Sequence, residues 1–194
     1  SKIILPAVVA PFVAGTASTL ATWVAYKIVP SYEEAYTNKI CKIAQLFSAS
    51  MVAFSHGTSD GQKTMGVITL VLVAAGYQEA GTGPQWWVVV SAGLAIGLGT
   101  YSGGWRIMRT MGRGLVHVDP PQGFASELSS AVAILASSHL GFALSTTHIC
   151  SGSVVGTGVG RGAKVETGTL RKMFIAWIIT LPAAAVVGGL TSFV

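Results

Sequence analysis

Charge is scarce in this chain. Asp, Glu, Lys and Arg together make up 10% of its 194 residues, less than half of the roughly 25% usual in a soluble domain, whereas hydrophobic residues make up 51%. Water is a poor solvent for such a composition, which excludes an ordinary soluble globule. Cysteine is scarce too. Cys41 and Cys150 lie in or beside apolar segments with no CxxC or Cys/His spacing, which excludes a disulfide framework and a zinc site and leaves both as packing residues. No secretory signal peptide is evident, because Lys2 leads into an apolar run too long for a cleavable segment and without a small-residue cleavage site. No nucleophile and base stand at a recognisable spacing, so an enzyme is not expected. The first residue is Ser1 rather than Met, which leads to the expectation of a processed, trimmed or partial chain.

Long apolar runs are what the chain has instead. Ile3 to Tyr26 and Met173 to Val194 contain no Asp, Glu, Lys, Arg or His, and each is long enough to cross a hydrocarbon core of about 30 Å. A third uncharged run, Trp86 to Trp105, carries tryptophan at both ends, as the two interfaces of a bilayer favour. Ile43 to Tyr77 is apolar but interrupted at SHGTSDGQK, Ser55 to Lys63. Its flanks of roughly 12 to 14 residues are each too short to span, so one broken span or a tight hairpin is expected. Phe124 to Gly160 is moderately apolar, rich in Ser, Gly and Thr, and interrupted at Ser145 to His148; basic residues at both ends, Arg113 and Arg161, predict a re-entrant hairpin. The expected fold is therefore an all-α integral membrane protein with four transmembrane helices, one of them broken, plus that hairpin, in a single membrane domain covering residues 1–194.

The formal net charge of +5 would point to nucleic acid in a soluble protein, but here it reports orientation. If the connectors Lys27 to Lys42, Arg106 to Gly123 and Arg161 to Lys172 are cytoplasmic, they gather ten of the twelve basic residues, as the positive-inside rule requires. Both chain ends then lie outside a plasma membrane.

The two interruptions carry the chemistry. Irregular backbone inside hydrocarbon is tolerated only where protein or a watery cavity covers it. The first interruption holds His56, Gly57, Thr58, Ser59, Asp60, Gln62 and Lys63, and intramembrane ionisable groups mark ion or substrate pathways. The second holds Ser145, Thr146, Thr147 and His148, a run of hydroxyls where a helix N-terminus would present free amides to an anion. Gly57, Thr58, Ser59, Gln62, Lys63, Ser145, Thr146 and Thr147 are the expected substrate ligands. Asp60, with Ser59, His56 and His148, is the expected cation-coupling group, because a carboxylate beside an oxyanion needs a proton or a metal ion. No cofactor, resident metal or nucleic-acid partner is implied.

These residues also carry a resemblance. AFSHGTSDGQKTMG (Ala53 to Gly66) resembles the glycine-Asn-Asp signature of the PiT inorganic phosphate transporter family in its bacterial form. LSTTHICSGSVVGTGVGRG (Leu144 to Gly162) with AWIITLPAAAVVGG (Ala176 to Gly189) resembles its second signature and terminal helix. The resemblance implies symport of phosphate, or of a neutral metal phosphate, with H+ or Na+ by a fold of two inverted repeats. Ser59 stands where the family has Asn, which drops one amide donor. Only one copy of the first motif is present, so the chain is expected to be a C-terminal half, completed by an N-terminal half and open to homo-oligomerisation.

Plainer readings stand beside these. Asp60 and Lys63 are three apart and suit an internal ion pair; His56 and His148 suit backbone partners; Ser145, Thr146 and Thr147 suit a helix cap; Gln62 suits a cap as well. His117 reads as a loop residue and His139 as packing within the hairpin. GTGVGRG, Gly156 to Gly162, lacks the preceding strand of a nucleotide loop and reads as glycines for close packing and a helix end. A structural subunit of a larger membrane complex and an ion channel are the competing functions.

Overall fold

The computed structural model describes residues 4–28, 34–142 and 144–191. It comprises six helices: α1 (Ile4–Ile28), α2 (Glu34–Ala74), α3 (Trp86–Arg113), α4 (Pro120–His139), α5 (Thr146–Arg161) and α6 (Thr167–Thr191). Among the described residues there is no strand. Three of the described helices are long and apolar enough to cross a membrane: α1 over Leu5–Ile28, α3 over Trp86–Gly112 and α6 over Thr167–Thr191.

The distribution of side chains is inverted relative to a soluble domain. Buried positions are dominated by small and polar residues, among them Ser18, Thr22, Ser48, Gln122, Ser130, Ser153 and Thr157, while Phe12, Leu70, Leu98 and Ile178 are exposed. Lipid tails offer no hydrophobic drive for burying leucine, so helices in a bilayer meet through small residues and hydrogen bonds instead.

α2 differs from the sequence-based expectation. SHGTSDGQK does not break it; a single helix of 41 residues runs through. The hydroxyls that would compete for the backbone bond back onto it, with Ser55 Oγ donating to the Met51 carbonyl at 2.7 Å, Thr58 Oγ1 to Phe54 at 2.7 Å and Thr64 Oγ1 to Asp60 at 3.1 Å. Gly57, Gly61 and Gly66 each cost a helix only about 1 kcal/mol, which packing against α3 and α4 offsets. The polar residues at its middle keep α2 outside the set of helices apolar enough to cross alone.

The connectors are also shorter than expected. α3 continues to Arg113 and α4 begins at Pro120, so Arg106 to Gly123 is a loop only over residues 114–119. Pro120 and Pro121 do not break a helix here but start one, because the first turn needs no N–H from them. The Asp119 N–H donates to Gln122 Oε1 at 2.9 Å across that turn. α6 likewise begins at Thr167, so that Arg171 and Lys172 lie within it. Residues 29–33 of the first connector lie outside the described residues.

α4 and α5 form a helical hairpin where the re-entrant one is expected, with residues 140–142 and 144–145 between them. Gly141 takes the left-handed conformation there, φ +72°, which costs glycine little. At the base, Thr157 Oγ1 donates to the Gln122 carbonyl at 3.3 Å, and Arg161 reaches Asp119 and the Tyr26 hydroxyl. The Arg161 guanidinium also lies 4.6 Å from the Tyr26 ring centroid.

The hairpin lies in close contact with α1. Gly152, Gly156 and Gly160 recur every fourth residue along α5 and meet the backbone of Pro11, Gly15 and Thr19 on α1. A Cβ at Gly160 would fall 2.8 Å from the Thr19 carbonyl oxygen. Thr19 Oγ1 donates to the Gly156 carbonyl at 2.8 Å, and the Thr22 and Thr157 hydroxyls are 2.6 Å apart. The GTGVGRG glycines therefore serve close packing and, at Gly162 with φ +70°, the end of α5, as expected from the sequence.

Candidate functional site at the tip of the hairpin

His56, Asp60 and Lys63 follow one another at i, i+4 and i+7 on α2, a spacing that places them on one helical face. Because α2 is unbroken, that face is rigid. Lys63 Nζ donates to Asp60 Oδ1 at 3.0 Å, and His56 Nδ1 lies 3.2 Å from Asp60 Oδ2. The hairpin tip docks onto this row. Thr146 Oγ1, in the first turn of α5, donates to Asp60 Oδ2 at 3.3 Å and lies 3.0 Å from His56 Nδ1. Lys63 Nζ donates in addition to the Leu144 carbonyl at 2.6 Å. Two segments 86 residues apart in sequence thus form one polar cluster. The Asp60 side chain stays 33% exposed and that of Lys63 39%, enough for an ion to reach them.

The N-terminus of α5 supplies the other electrostatic element. Ser145 is the N-cap, its Oγ accepting from the His148 N–H at 3.4 Å. The amides of the first helical turn have no intrahelical partner, and the helix dipole adds about half a positive charge there. Thr146 is buried against α2, whereas Thr147 is exposed. His148 faces the other way, stacking on Trp177 of α6 with ring centroids 4.0 Å apart.

Not every expected ligand joins the cluster. Gly57 and Gln62 are exposed, Thr58 spends its hydroxyl on the Phe54 carbonyl, and Ser59 is buried beside Asp60. The amides of 57–63 are consumed by the α2 helix, so this segment offers an anion side chains rather than backbone. His117 is exposed in the loop before α4, 4.0 Å from Asp119. His139 ends α4 exposed rather than packed inside the hairpin.

Glu127 is a further functional candidate, not singled out in the sequence. It sits on α4 facing α2, where Ser48 Oγ donates to its Oε2 at 2.5 Å. Gly123, one turn earlier, has no Cβ and so admits the Gln45 side chain. The available signal was that Glu127 is the one acid between Asp119 and Glu166, inside a segment read as intramembrane. Among the described residues no group of three His, Cys, Asp or Glu side chains is placed to hold a metal ion.

Apolar helices around a polar core, with a partly buried helix N-terminus meeting a charged row on α2, define the class: a helical membrane protein. The model of the phosphate transporter family matches residues 30–188. A Mycobacterium tuberculosis (strain ATCC 25618 / H37Rv) protein named "Probable low-affinity inorganic phosphate transporter" is 48% identical over 193 residues, covering 98% of this chain and 46% of that protein. A Bacillus subtilis (strain 168) protein of the same name is 33% identical, covering 100% of this chain and 58% of that protein. Among solved structures, one titled "The sodium-dependent phosphate transporter" matches with a TM-score of 0.67 at 23% identity, over 93% of this chain and 53% of that one; it shares the fold. The chain belongs to the phosphate transporter family, and it spans about half the length of the curated relatives it matches. Those relatives are named as transporters, not enzymes.

Proposed function

We propose that this chain forms the C-terminal half of a cation-coupled symporter for inorganic phosphate or a neutral metal phosphate. The observation that carries the reading is Asp60, held between Lys63 and Thr146 at the N-terminus of α5. An uncompensated oxyanion does not enter a low-dielectric core, because burying an isolated ion costs on the order of tens of kcal/mol. Here the first-turn amides of α5, the Ser145 and Thr146 hydroxyls and the Lys63 ammonium replace its hydration and offset its charge.

Asp60 makes the process conditional. While ionised it occupies Lys63 and Thr146 and repels an anion. A proton or Na+ at Asp60 releases Lys63 to the phosphate, and by linkage bound phosphate raises the affinity for the cation to the same extent. His56, 3.2 Å from the same carboxylate, relays or shares that proton. Four crossings in a plasma membrane, with α2 as the fourth and both ends outside, place the basic connectors in the cytoplasm. An N-terminal half, related as an inverted repeat, completes the site.

The test is reconstitution of the full-length transporter in proteoliposomes with radiolabelled phosphate, under imposed H+ or Na+ gradients. Uptake driven by one of the two gradients is expected, and Asp60→Asn is expected to abolish the dependence on it. No uptake under either gradient would sink the symport reading, and unchanged gradient dependence in Asp60→Asn would remove Asp60 from coupling.

A further inference from the structure

Trp177 of α6 meets the first turn of α5. It is the eleventh of the 25 residues of α6, whereas Trp86 and Trp87 open α3. Indoles favour membrane interfaces, where the N–H stays wet and the ring sits in the headgroup region. Trp177 follows the charged pair Arg171 and Lys172 by little more than one turn, so its position near an interface is ordinary and what singles it out is the ring it touches.

The packing of α6 identifies that ring. Its half-buried positions are Thr169, Leu170, Met173 and Trp177, and from Ile178 onward every described side chain is exposed. Trp177 is the last half-buried position of α6 among the described side chains, and it packs against His148. Phe174, one turn earlier, meets the Trp177 ring edge-on at a centroid distance of 5.1 Å. Three rings stand in a row, Phe174, Trp177 and His148, leading from α6 to the first turn of α5.

The direction of His148 gives the row its meaning. Thr146 and His148 lie about 200° apart around a helix of 3.6 residues per turn, so Thr146 addresses α2 while His148 addresses α6. The N-terminus of α5 is flanked on one side by the His56, Asp60 and Lys63 row and on the other by the stacked imidazole. An imidazole has two free torsions, and the one face contact recorded for His148 is Trp177. Truncating Trp177 leaves that ring free to turn away from the helix end.

We infer that Trp177 is a positioning residue for phosphate transport: it holds the His148 ring beside the anion-receptive N-terminus of α5, so that affinity for phosphate, rather than the rate of the loaded carrier, depends on it. This rests on the proposed reading of that helix end as the phosphate site.

The experiment measures KM and Vmax for phosphate uptake by the full-length transporter carrying Trp177→Ala, Trp177→Phe and His148→Gln, and the Trp177→Ala/His148→Gln double variant. Trp177→Ala is expected to raise KM about two- to tenfold, the range an aromatic pair supports, with Vmax largely kept. Trp177→Phe, which retains a ring face, is expected to restore most of the affinity. In the His148→Gln background Trp177→Ala is expected to add nothing. An unchanged KM in Trp177→Ala, or the same increment with and without His148, overturns the inference. If Trp177→Ala fails to reach the membrane, Trp177→Leu keeps the apolar bulk without the ring face; a raised KM is expected there, and an unchanged one overturns the inference. His148→Gln with unaltered KM likewise overturns the inference while leaving the helix-end reading standing; that reading fails instead if Lys63→Met leaves KM unaltered.

Discussion

Gly156 of α5 lies directly against Gly15 of α1, with the Gly15 carbonyl occupying the space where a Cβ on Gly156 would stand. No rotamer choice relieves such a contact, since backbone meets backbone. Gly156→Ala must push the helices apart, and it does so beside Thr19 and Thr22, whose bonds to Gly156 and Thr157 depend on the same approach. Overpacking of this kind costs about 1–3 kcal/mol. Gly66→Ala on α2 is the control, because open space surrounds that position and replacing a mid-helix glycine is worth about 0.5–1 kcal/mol in stability. Thermal unfolding in detergent is expected to move in opposite directions for the two; a stable Gly156→Ala would show that α1 and α5 are not held at this distance.

Lys63 has two partners, Asp60 and the Leu144 carbonyl. Lys63→Met strips the cation from both. Hydrogen bonds to charged groups are worth about 1.5–3 kcal/mol, so a rise of about ten- to a hundredfold in the phosphate KM is expected. Combining Lys63→Met with Asp60→Asn should cost less than the sum of the two, because one interaction is removed twice. Strict additivity in uptake kinetics would show that the pair acts on phosphate independently.

Ser48 of α2 donates a short bond to Glu127 of α4, which Gln45 of α2 also contacts. Ser48→Ala leaves a half-buried carboxylate with a donor fewer and is expected to destabilise the protein by about 1–3 kcal/mol. Adding Glu127→Gln should recover part of that loss, since a neutral amide needs less compensation. Unfolding midpoints of the single and double variants decide it: no recovery would mean that Glu127 is not anionic in the folded protein.

Two residues at the base of the hairpin differ in weight. Arg161 binds Asp119 and Tyr26, but the charged side chains are 44% and 38% exposed, and exposed pairs contribute about 0–1 kcal/mol. Gln122 is 1% exposed, and its side chain accepts from the Asp119 N–H and donates to the Thr157 carbonyl. Gln122→Ala is therefore expected to destabilise by about 2–3 kcal/mol, more than Arg161→Ala, in chemical unfolding followed by circular dichroism. The reverse order would place the base of the hairpin in a drier environment than its exposure indicates.

What the sequence revealed and what it hid divide along physical lines. Membrane spans were legible because length and the absence of charge are properties of single segments. The hairpin was legible because a hydroxyl run ended one apolar stretch and basic residues bracketed both. The continuity of α2 was not, because glycine, serine and threonine are read as breakers while their cancellation is tertiary: back-bonded hydroxyls and the cover of α3 and α4. The meeting of Asp60 with Thr146 was expected in kind, as two polar segments at one depth, but the direction of each side chain was not. Thr58 and Gln62 turn away from the cluster on a helix expected to be broken there. Glu127 escaped notice because a single acid among serines and alanines makes no motif.

The bond from Lys63 ends on the Leu144 main chain rather than on a side chain. A carbonyl is supplied by every amino acid, so the identity of residue 144 is free of this duty and answers only to the apolar packing around it. Leu144→Val, Leu144→Ile or Leu144→Met keeps the carbonyl that accepts this bond, whereas replacing Lys63 removes its donor.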